Sequence, residues 1–247
     1  MNLLIVFVIG GGLLVDYHWL AYGQAAVSAA TWILCLALWA QSDVSRRPAL
    51  AACLLIATTG EIILSLGWGL YTYRLDNIPL FVPPGHVLIF YLGTQWAERL
   101  PPRGEWWIAA LAFPVIMAFA WTGRDTSGPV LYALFLLCLW ISPSPRLYGT
   151  MFILSLALEL WGTWIGNWTW STRVPGLGLT MFNPPIASGA IYSVLDLLVV
   201  AAAMGLERTY ARKSASGSGA VERASPGLNA STDSTQDATL SACSSPR

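Results

Sequence analysis

Residues 61–86 read EIILSLGWGLYTYRLDNIPLFVPPGH, and residues 159–185 read ELWGTWIGNWTWSTRVPGLGLTMFNPP. Each segment begins with a glutamate inside an apolar run and continues through glycines to an aromatic-x-aromatic triplet and then a double proline. A carboxylate within a membrane helix is costly and by default indicates a functional site. Because the pattern occurs twice, a solvated helix face explains it poorly.

The composition indicates an integral membrane protein. Of the 247 residues, 55% are hydrophobic and only 11% are charged, whereas a soluble domain carries roughly 25% charged residues. The mean hydropathy is +0.58, and apolar runs near the length that crosses a bilayer recur along the chain. The formal net charge is zero, which argues against nucleic-acid binding.

We predict an all-α, polytopic membrane helix bundle of about eight transmembrane helices, with seven as the alternative because two runs are short. The N-terminal run lacks a basic region and a cleavage site, so we interpret it as the first membrane helix. Residues 1–206 form the predicted transmembrane domain, and the polar segment 207–247 is predicted to be a disordered cytoplasmic tail. The predicted helices cover residues 3–20, 24–41, 49–73, 84–98, 106–122, 129–142, 148–170 and 185–206.

The basic residues predict the orientation in the membrane. By the positive-inside rule, the side that is rich in arginine faces the cytoplasm, and so do both termini. We expect the membrane to be a bacterial inner membrane. The two quoted segments are four helices apart and share one orientation, which predicts a parallel repeat with halves 1–100 and 105–206. The inner side carries Arg46, Arg47, Arg99, Arg103, Arg146, Arg208, Arg212 and Lys213, and the outer side carries Arg74, Arg124 and Arg173.

Three carboxylates fall within predicted helices, namely Glu61, Glu159 and Asp196, with no lysine or arginine near them in sequence. A carboxylic acid in a dry pocket donates a proton or a hydrogen bond, so all three are candidate catalytic residues. The alternative is that they only tie neighbouring helices together by hydrogen bonds. Helical spacing from Glu159 places Gly166 and Trp170 on the same face.

Polar and aromatic residues of the two segments complete the predicted site. His86 opens a predicted helix and is a candidate catalytic base or proton carrier, or else a helix-start histidine bonded to nearby backbone. Asn183 is a candidate substrate-orienting residue, or else the cap of the last helix. Aromatic faces stabilise cations, and four such side chains are expected to line the substrate cavity: Tyr71, Tyr73, Trp168 and Trp170.

We predict no metal site and no cofactor. The four cysteines, Cys35, Cys53, Cys138 and Cys243, show no ligand spacing with each other or with histidine. The chain also lacks the aspartate-rich motifs of diphosphate-dependent prenyl transfer and the glycine-rich motifs of nucleotide binding.

The two segments resemble bacterial carotenoid biosynthesis membrane proteins of the carotenoid 1,2-hydratase type. That family is polytopic and acts on long polyene hydrocarbons inside the bilayer, so the resemblance implies a lipophilic isoprenoid substrate. It covers about 50 residues and is carried by Glu61, Gly67, Gly69, Tyr71 and Tyr73, and again by Glu159, Gly162, Gly166, Trp168 and Trp170.

These observations lead to one preferred hypothesis and two rivals. The preferred hypothesis is a membrane-embedded hydratase-like or cyclase-like enzyme in which a carboxylic acid protonates a double bond of an isoprenoid. The rivals are a small proton-coupled transporter, which paired carboxylates in a parallel repeat would also suit, and a non-catalytic membrane assembly protein. The expected partners are the lipid bilayer and a lipophilic small molecule, and the oligomeric state stays open.

Overall fold

The computed structural model describes the backbone of residues 1–19 and 22–223 and the side chains of residues 1–19 and 22–206. Over these ranges the chain folds into α-helices, one short π-helix and two three-residue strands. The helices are α1 (Asn2–His18), α2 (Gly23–Gln41), α3 (Arg47–Glu61), α4 (Val82–Ala97), α5 (Gly104–Trp121), α6 (Gly128–Ile141), α7 (Pro145–Ile165) and α8 (Gly189–Arg223).

Within the described part of the chain, four helical segments are long and apolar enough to cross a membrane: Gly23–Gln41, Arg47–Gly67, Gly104–Trp121 and Gly189–Leu206. Two more, α1 and α6, are apolar but shorter. Large apolar side chains also face outward, among them Leu3, Trp121 and Trp140. Exposed apolar area of this extent is unfavourable in water and compatible with contact to lipid.

Helix α7 is long, yet it is less apolar than those four segments. It contacts α1, α4, α5 and α6, so protein surrounds much of its surface. Accordingly it carries buried polar side chains at Thr150, Ser155 and Glu159. An enclosed helix can hold such groups because neighbouring helices, rather than lipid, surround them.

Two predicted helices end earlier than the sequence analysis places them. We expected helix across 49–73 and 148–170, but α3 changes to a π-helix at Ile62–Gly67, and α7 stops at Ile165. The physical reason is glycine: Gly69 and Gly166 have φ values of +72° and +99°, which favour glycine and end a right-handed helix. The chain then reverses and forms strands.

The strands β1 (Tyr71–Tyr73) and β2 (Trp168–Trp170) pair in an antiparallel ribbon. Tyr71 lies opposite Trp170, and Tyr73 lies opposite Trp168. Because side chains alternate across a strand, all four aromatic rings lie on one face, which is buried, and the two threonines face away. The ribbon therefore directs four aromatic side chains back toward the helices that precede it.

The chain divides into two compact units, Met1–Leu206 and Glu207–Arg247. The backbone of α8 is helical as far as Arg223, within the segment predicted to be a disordered tail. The disorder predicted for 207–247 stays a prediction. The rest of the predicted tail, 224–247, lies outside the described residues.

Candidate functional site

Three side chains converge on the carboxylate of Glu61. The hydroxyls of Tyr71 and Tyr73 both donate to Oε2, over 2.8 and 2.7 Å. His86 Nε2 lies 3.0 Å from the other oxygen, Oε1. Glu61 is buried, so these three contacts replace the water that a carboxylate loses on leaving solvent.

The carboxylate of Glu159 has a matching set of partners. The indole Nε1 groups of Trp168 and Trp170 donate to Oε2 over 2.7 and 2.8 Å. The hydroxyl of Tyr192 donates to Oε1 over 2.9 Å. In both glutamates, therefore, two strand residues bond Oε2 and one helix residue bonds Oε1.

The backbone reversal explains how strand residues reach a carboxylate on the preceding helix. After Gly166 the chain folds back, so that the Trp168 ring lies directly over Gly162. A Cβ atom at position 162 would overlap that ring, and glycine leaves the space that the indole occupies. The indole then reaches Glu159, one helical turn earlier on the same face of α7.

Helix α1 anchors the ribbon from the side. Arg74, directly after β1, donates from Nη2 to the backbone oxygen of Asp16 over 2.7 Å. Asn167, directly before β2, donates from Nδ2 to Asp16 Oδ2 over 2.8 Å and to the backbone oxygen of Leu13 over 3.1 Å. These bonds fix the ribbon, and with it the aromatic donors, against the helices.

His86 and Tyr192 connect the two carboxylates. Their rings stack, with centroids 5.1 Å apart and planes at 21°, while His86 contacts Glu61 and Tyr192 contacts Glu159. His86 lies on α4 and Tyr192 on α8, so the stack joins helices from distant parts of the sequence. The two glutamates thus belong to one polar cluster.

The hydrogen bonds distinguish the oxygens of each carboxylate. An indole N–H can only donate, so Glu159 Oε2 must accept from both tryptophans. On Glu61, by contrast, Oε1 faces an imidazole nitrogen, which is either donor or acceptor according to its protonation. The Glu61–His86 contact therefore suits proton transfer in either direction, whereas the two indoles require Oε2 of Glu159 to accept.

The two strand tyrosines remain protonated donors. Burial raises the pKa of the Tyr71 phenol, and the neighbouring Glu61 carboxylate raises it further. The same two causes, in the same order, raise the pKa of Tyr73. Neither phenol loses its proton near neutral pH, so both bonds to Glu61 persist there.

A cavity of about 60 Å³ adjoins the cluster and has room for a few water molecules. Its polar wall is formed by the two glutamates together with side chains from β1, β2, α4 and α8. Apolar side chains from α1, α2 and α4 close the other walls. The polar wall consists of Glu61, Tyr71, Tyr73, His86, Glu159, Trp168 and Tyr192.

The structure brings most of the predicted site residues to this cluster, and their catalytic role stays a prediction. Two predicted residues lie apart from it. Asn183 accepts a hydrogen bond from the backbone N–H of Trp170 over 2.9 Å, so it holds β2 in place. Asp196 lies on α8 one turn beyond Tyr192 and lines neither this cavity nor its neighbours.

Tyr192 contributes to the cluster, although it is not among the site residues predicted from the sequence. It corresponds in position to His86, but it lies 33 residues after Glu159, whereas His86 lies 25 residues after Glu61. The connection between β2 and α8 is longer than the one between β1 and α4, so the spacing from Glu159 to Tyr192 does not match the spacing from Glu61 to His86. Its spacing of one turn from Asp196 was the signal available in the sequence.

Among residues 1–19 and 22–206, no group of three or more His, Cys, Asp or Glu side chains is arranged to hold a metal ion. Comparison with protein-family models, curated proteins and solved structures finds no match to this chain.

Proposed function

We propose that this protein is a multi-pass membrane enzyme that adds a proton to a carbon–carbon double bond of a lipophilic isoprenoid. The observation that carries the proposal is the contrast between two neighbouring buried carboxylates. Glu61 Oε1 lies 3.0 Å from His86 Nε2, which can either donate or accept, while Glu159 Oε2 accepts from two indole N–H groups, which can only donate. Paired titratable groups in contrasting environments are typical of acid–base catalysis.

The reaction follows from these roles. The Glu61–His86 pair donates a proton to one carbon of the double bond, and the π electrons form the new C–H bond. The adjacent carbon becomes a cation, which the Glu159 carboxylate and the nearby aromatic faces stabilise. Attack by water, or by a second double bond, followed by loss of a proton to the Glu61–His86 pair, completes a hydration or a cyclisation.

We further propose that eight helices cross a bacterial inner membrane as a parallel repeat, with both termini in the cytoplasm. The pairing of β1 with β2 supports the repeat, because equivalent backbone bonds close both ends of the ribbon. Arg74 N–H donates to Asn167 O over 2.9 Å, and Ser171 N–H donates to Leu70 O over 2.8 Å. Two like strands in antiparallel register are related by a local two-fold axis.

One observation favours a proton-coupled transporter as the second candidate. The cavity beside the glutamates measures about 60 Å³, which suits a few waters or a small solute rather than a whole isoprenoid. Buried carboxylates next to a histidine are also a common feature of proton relays. The enzyme therefore needs a further place for most of its substrate.

The proposal is tested in a bacterial host that makes an acyclic polyene. The host expresses the wild type, the Glu61→Gln variant, or Glu98→Gln as the matched control, since Glu98 is an exposed carboxylate away from the cluster. We expect a hydrated or cyclised product with the wild type and the control, and none with Glu61→Gln. Unchanged polyenes with all three, together with proton uptake by vesicles that requires Glu61, would establish the transporter instead.

A further inference from the structure

A second, larger cavity opens beside the polar cluster. It measures about 410 Å³ and lies between the π-helix, α6, α8 and the segment 174–181. Val130 and Leu134 of α6 and Leu195 of α8 are among its walls. We call this cavity the apolar groove, and its volume falls in the range of small-molecule sites.

Among the described residues that line the apolar groove, each side-chain hydrogen-bond donor already has a partner within the protein. The Ser127 hydroxyl donates to Asp125 over 2.7 Å. The indole N–H of Trp68 donates to the backbone oxygen of Pro175 over 2.9 Å, and that of Trp170 donates to Glu159. An occupant therefore gains only apolar contact, which selects a hydrocarbon over any polar ligand.

A third cavity, which we call the neck, shares lining residues with both the groove and the acid cluster. This cavity of about 10 Å³ is lined by groove residues Gly60, Ile191 and Leu195 and also by both glutamates, His86 and Tyr192. Gly60 sets the width of this neck, because a Cβ atom there would lie 3.1 Å from Leu195 Cδ2. Leu195 lines both the neck and the groove, and its side chain can change rotamer.

The helix wall of the groove is irregular where it meets the neck. The π-helix Ile62–Gly67 begins directly after Glu61 and supplies Ile63 and Leu64 to the groove. Short π-helical segments occur often at functional sites. Here the segment joins the acid-bearing end of α3 to the apolar wall.

We propose that the apolar groove binds the hydrocarbon tail of the isoprenoid, and that the reacting end passes Leu195 to reach Glu61 and His86. This inference depends on the proposed function for the reaction, but it concerns binding. The groove holds the long apolar part, and the 60 Å³ cavity holds only the reacting end and water. The neck is lined by groove residues and by both glutamates, which favours a substrate over an ordinary lipid chain.

The test is photolabelling in lipid nanodiscs with an acyclic isoprenoid hydrocarbon that carries a diazirine at the far end of its tail. Glu61→Gln protein is labelled alongside the wild type, so that binding is measured without turnover. Val130→Trp fills the groove, and Leu111→Trp on the exposed face of α5 is the matched control. Size-exclusion profiles establish that each variant is folded.

We expect label on α6 and on residues 174–181 in the wild type, Glu61→Gln and Leu111→Trp. In Val130→Trp we expect about tenfold less labelling, because the bulky indole occupies space that the hydrocarbon tail would fill. Equal labelling of Val130→Trp would overturn the proposal. A second result would also overturn it: a phospholipid with a diazirine on its acyl chain labels the groove as strongly as the isoprenoid does, and the isoprenoid does not displace it.

The two proposals fail separately. If the groove is labelled but no polyene is converted, the hydrocarbon-binding site is supported and the proposed enzyme activity is rejected. If a polyene is converted but the groove is not labelled, the enzyme activity is supported and this binding site is rejected.

Discussion

The rings of His86 and Tyr192 stack with centroids 5.1 Å apart, yet they bond different carboxylates, Glu61 and Glu159. The stack is therefore one of two close ring contacts that link the acid groups, since the rings of Tyr71 and Trp170, which bond Glu61 and Glu159, lie 4.8 Å apart. It also ties α4 to α8, so movement of either helix would alter both hydrogen bonds. This coupling makes the cluster one site rather than two.

The indole bonds to Glu159 are expected to stabilise the fold. Replacing Trp168 by Phe removes one N–H donor from a buried carboxylate, at a cost of about 1–3 kcal/mol. Trp164→Phe on the exposed face of α7 is the control and is expected to cost much less. The measurement is thermal unfolding in detergent.

A double-mutant cycle with Glu159→Gln separates the hydrogen bond from lost packing. We expect a coupling energy on the order of 1 kcal/mol between Trp168→Phe and Glu159→Gln. Strictly additive effects would mean that the indole contributes packing alone.

Gly166 is expected to be essential for the chain reversal. Its φ is +99°, so Gly166→Ala should cost about 1–2 kcal/mol of stability. An added Cβ would also lie 3.3 Å from the Tyr17 ring. Gly10→Ala in α1 is the control, because nothing lies within 4 Å of its Cβ position. Thermal midpoints should fall for Gly166→Ala alone, and an equal response from both variants would refute the role of the reversal.

Asp196 is expected to be dispensable for turnover. It is buried, its Oδ2 has no hydrogen-bond partner among the described side chains, and it does not line the acid cavity. Asp196→Asn removes a buried carboxyl group at nearly constant size, so stability should stay equal or rise. Product formation, measured in the polyene-producing host, should persist, and its loss would return Asp196 to the catalytic set.

The sequence identified Glu61 and Glu159 as candidate site residues, but it did not show whether they belong to one site or to two. Both are isolated carboxylates in apolar helices, and in each case the aromatic triplet and glycines that follow belong to one repeated pattern. Costly residues at matching positions indicate a shared role. The helices themselves were predictable from the apolar runs, although only some of them meet the length and hydropathy expected of a membrane span.

The route by which the aromatic residues reach the acids was not predicted. We expected Trp170 to share a helix face with Glu159, but it lies on a strand, and its N–H donates to the carboxylate. In WTW and YTY, aromatic residues alternate with threonine at the two-residue period of a β-strand. Three residues are too few for this period to distinguish a strand from a helix. The register of β1 against β2 depends on contacts between distant segments, which sequence spacing does not contain.

The role of Asn183 shows the same limit. An asparagine before two prolines predicts a cap or a ligand for substrate, whereas its carboxamide oxygen accepts the backbone N–H of Trp170. That partner is set by the loop between β2 and α8, whose path depends on tertiary packing. Local patterns identified the polar residues, and only the fold identified their partners.

The most direct test of the central claim, that Glu61 and His86 transfer a proton to the substrate, is deuterium incorporation. Purified protein in nanodiscs is given an acyclic polyene in deuterated water, and the product is analysed by mass spectrometry. We predict one non-exchangeable deuterium per reacted double bond with the wild type, and a loss of rate of about 10²–10⁴ with Glu61→Gln. Equal incorporation by Glu61→Gln and the wild type would contradict the account.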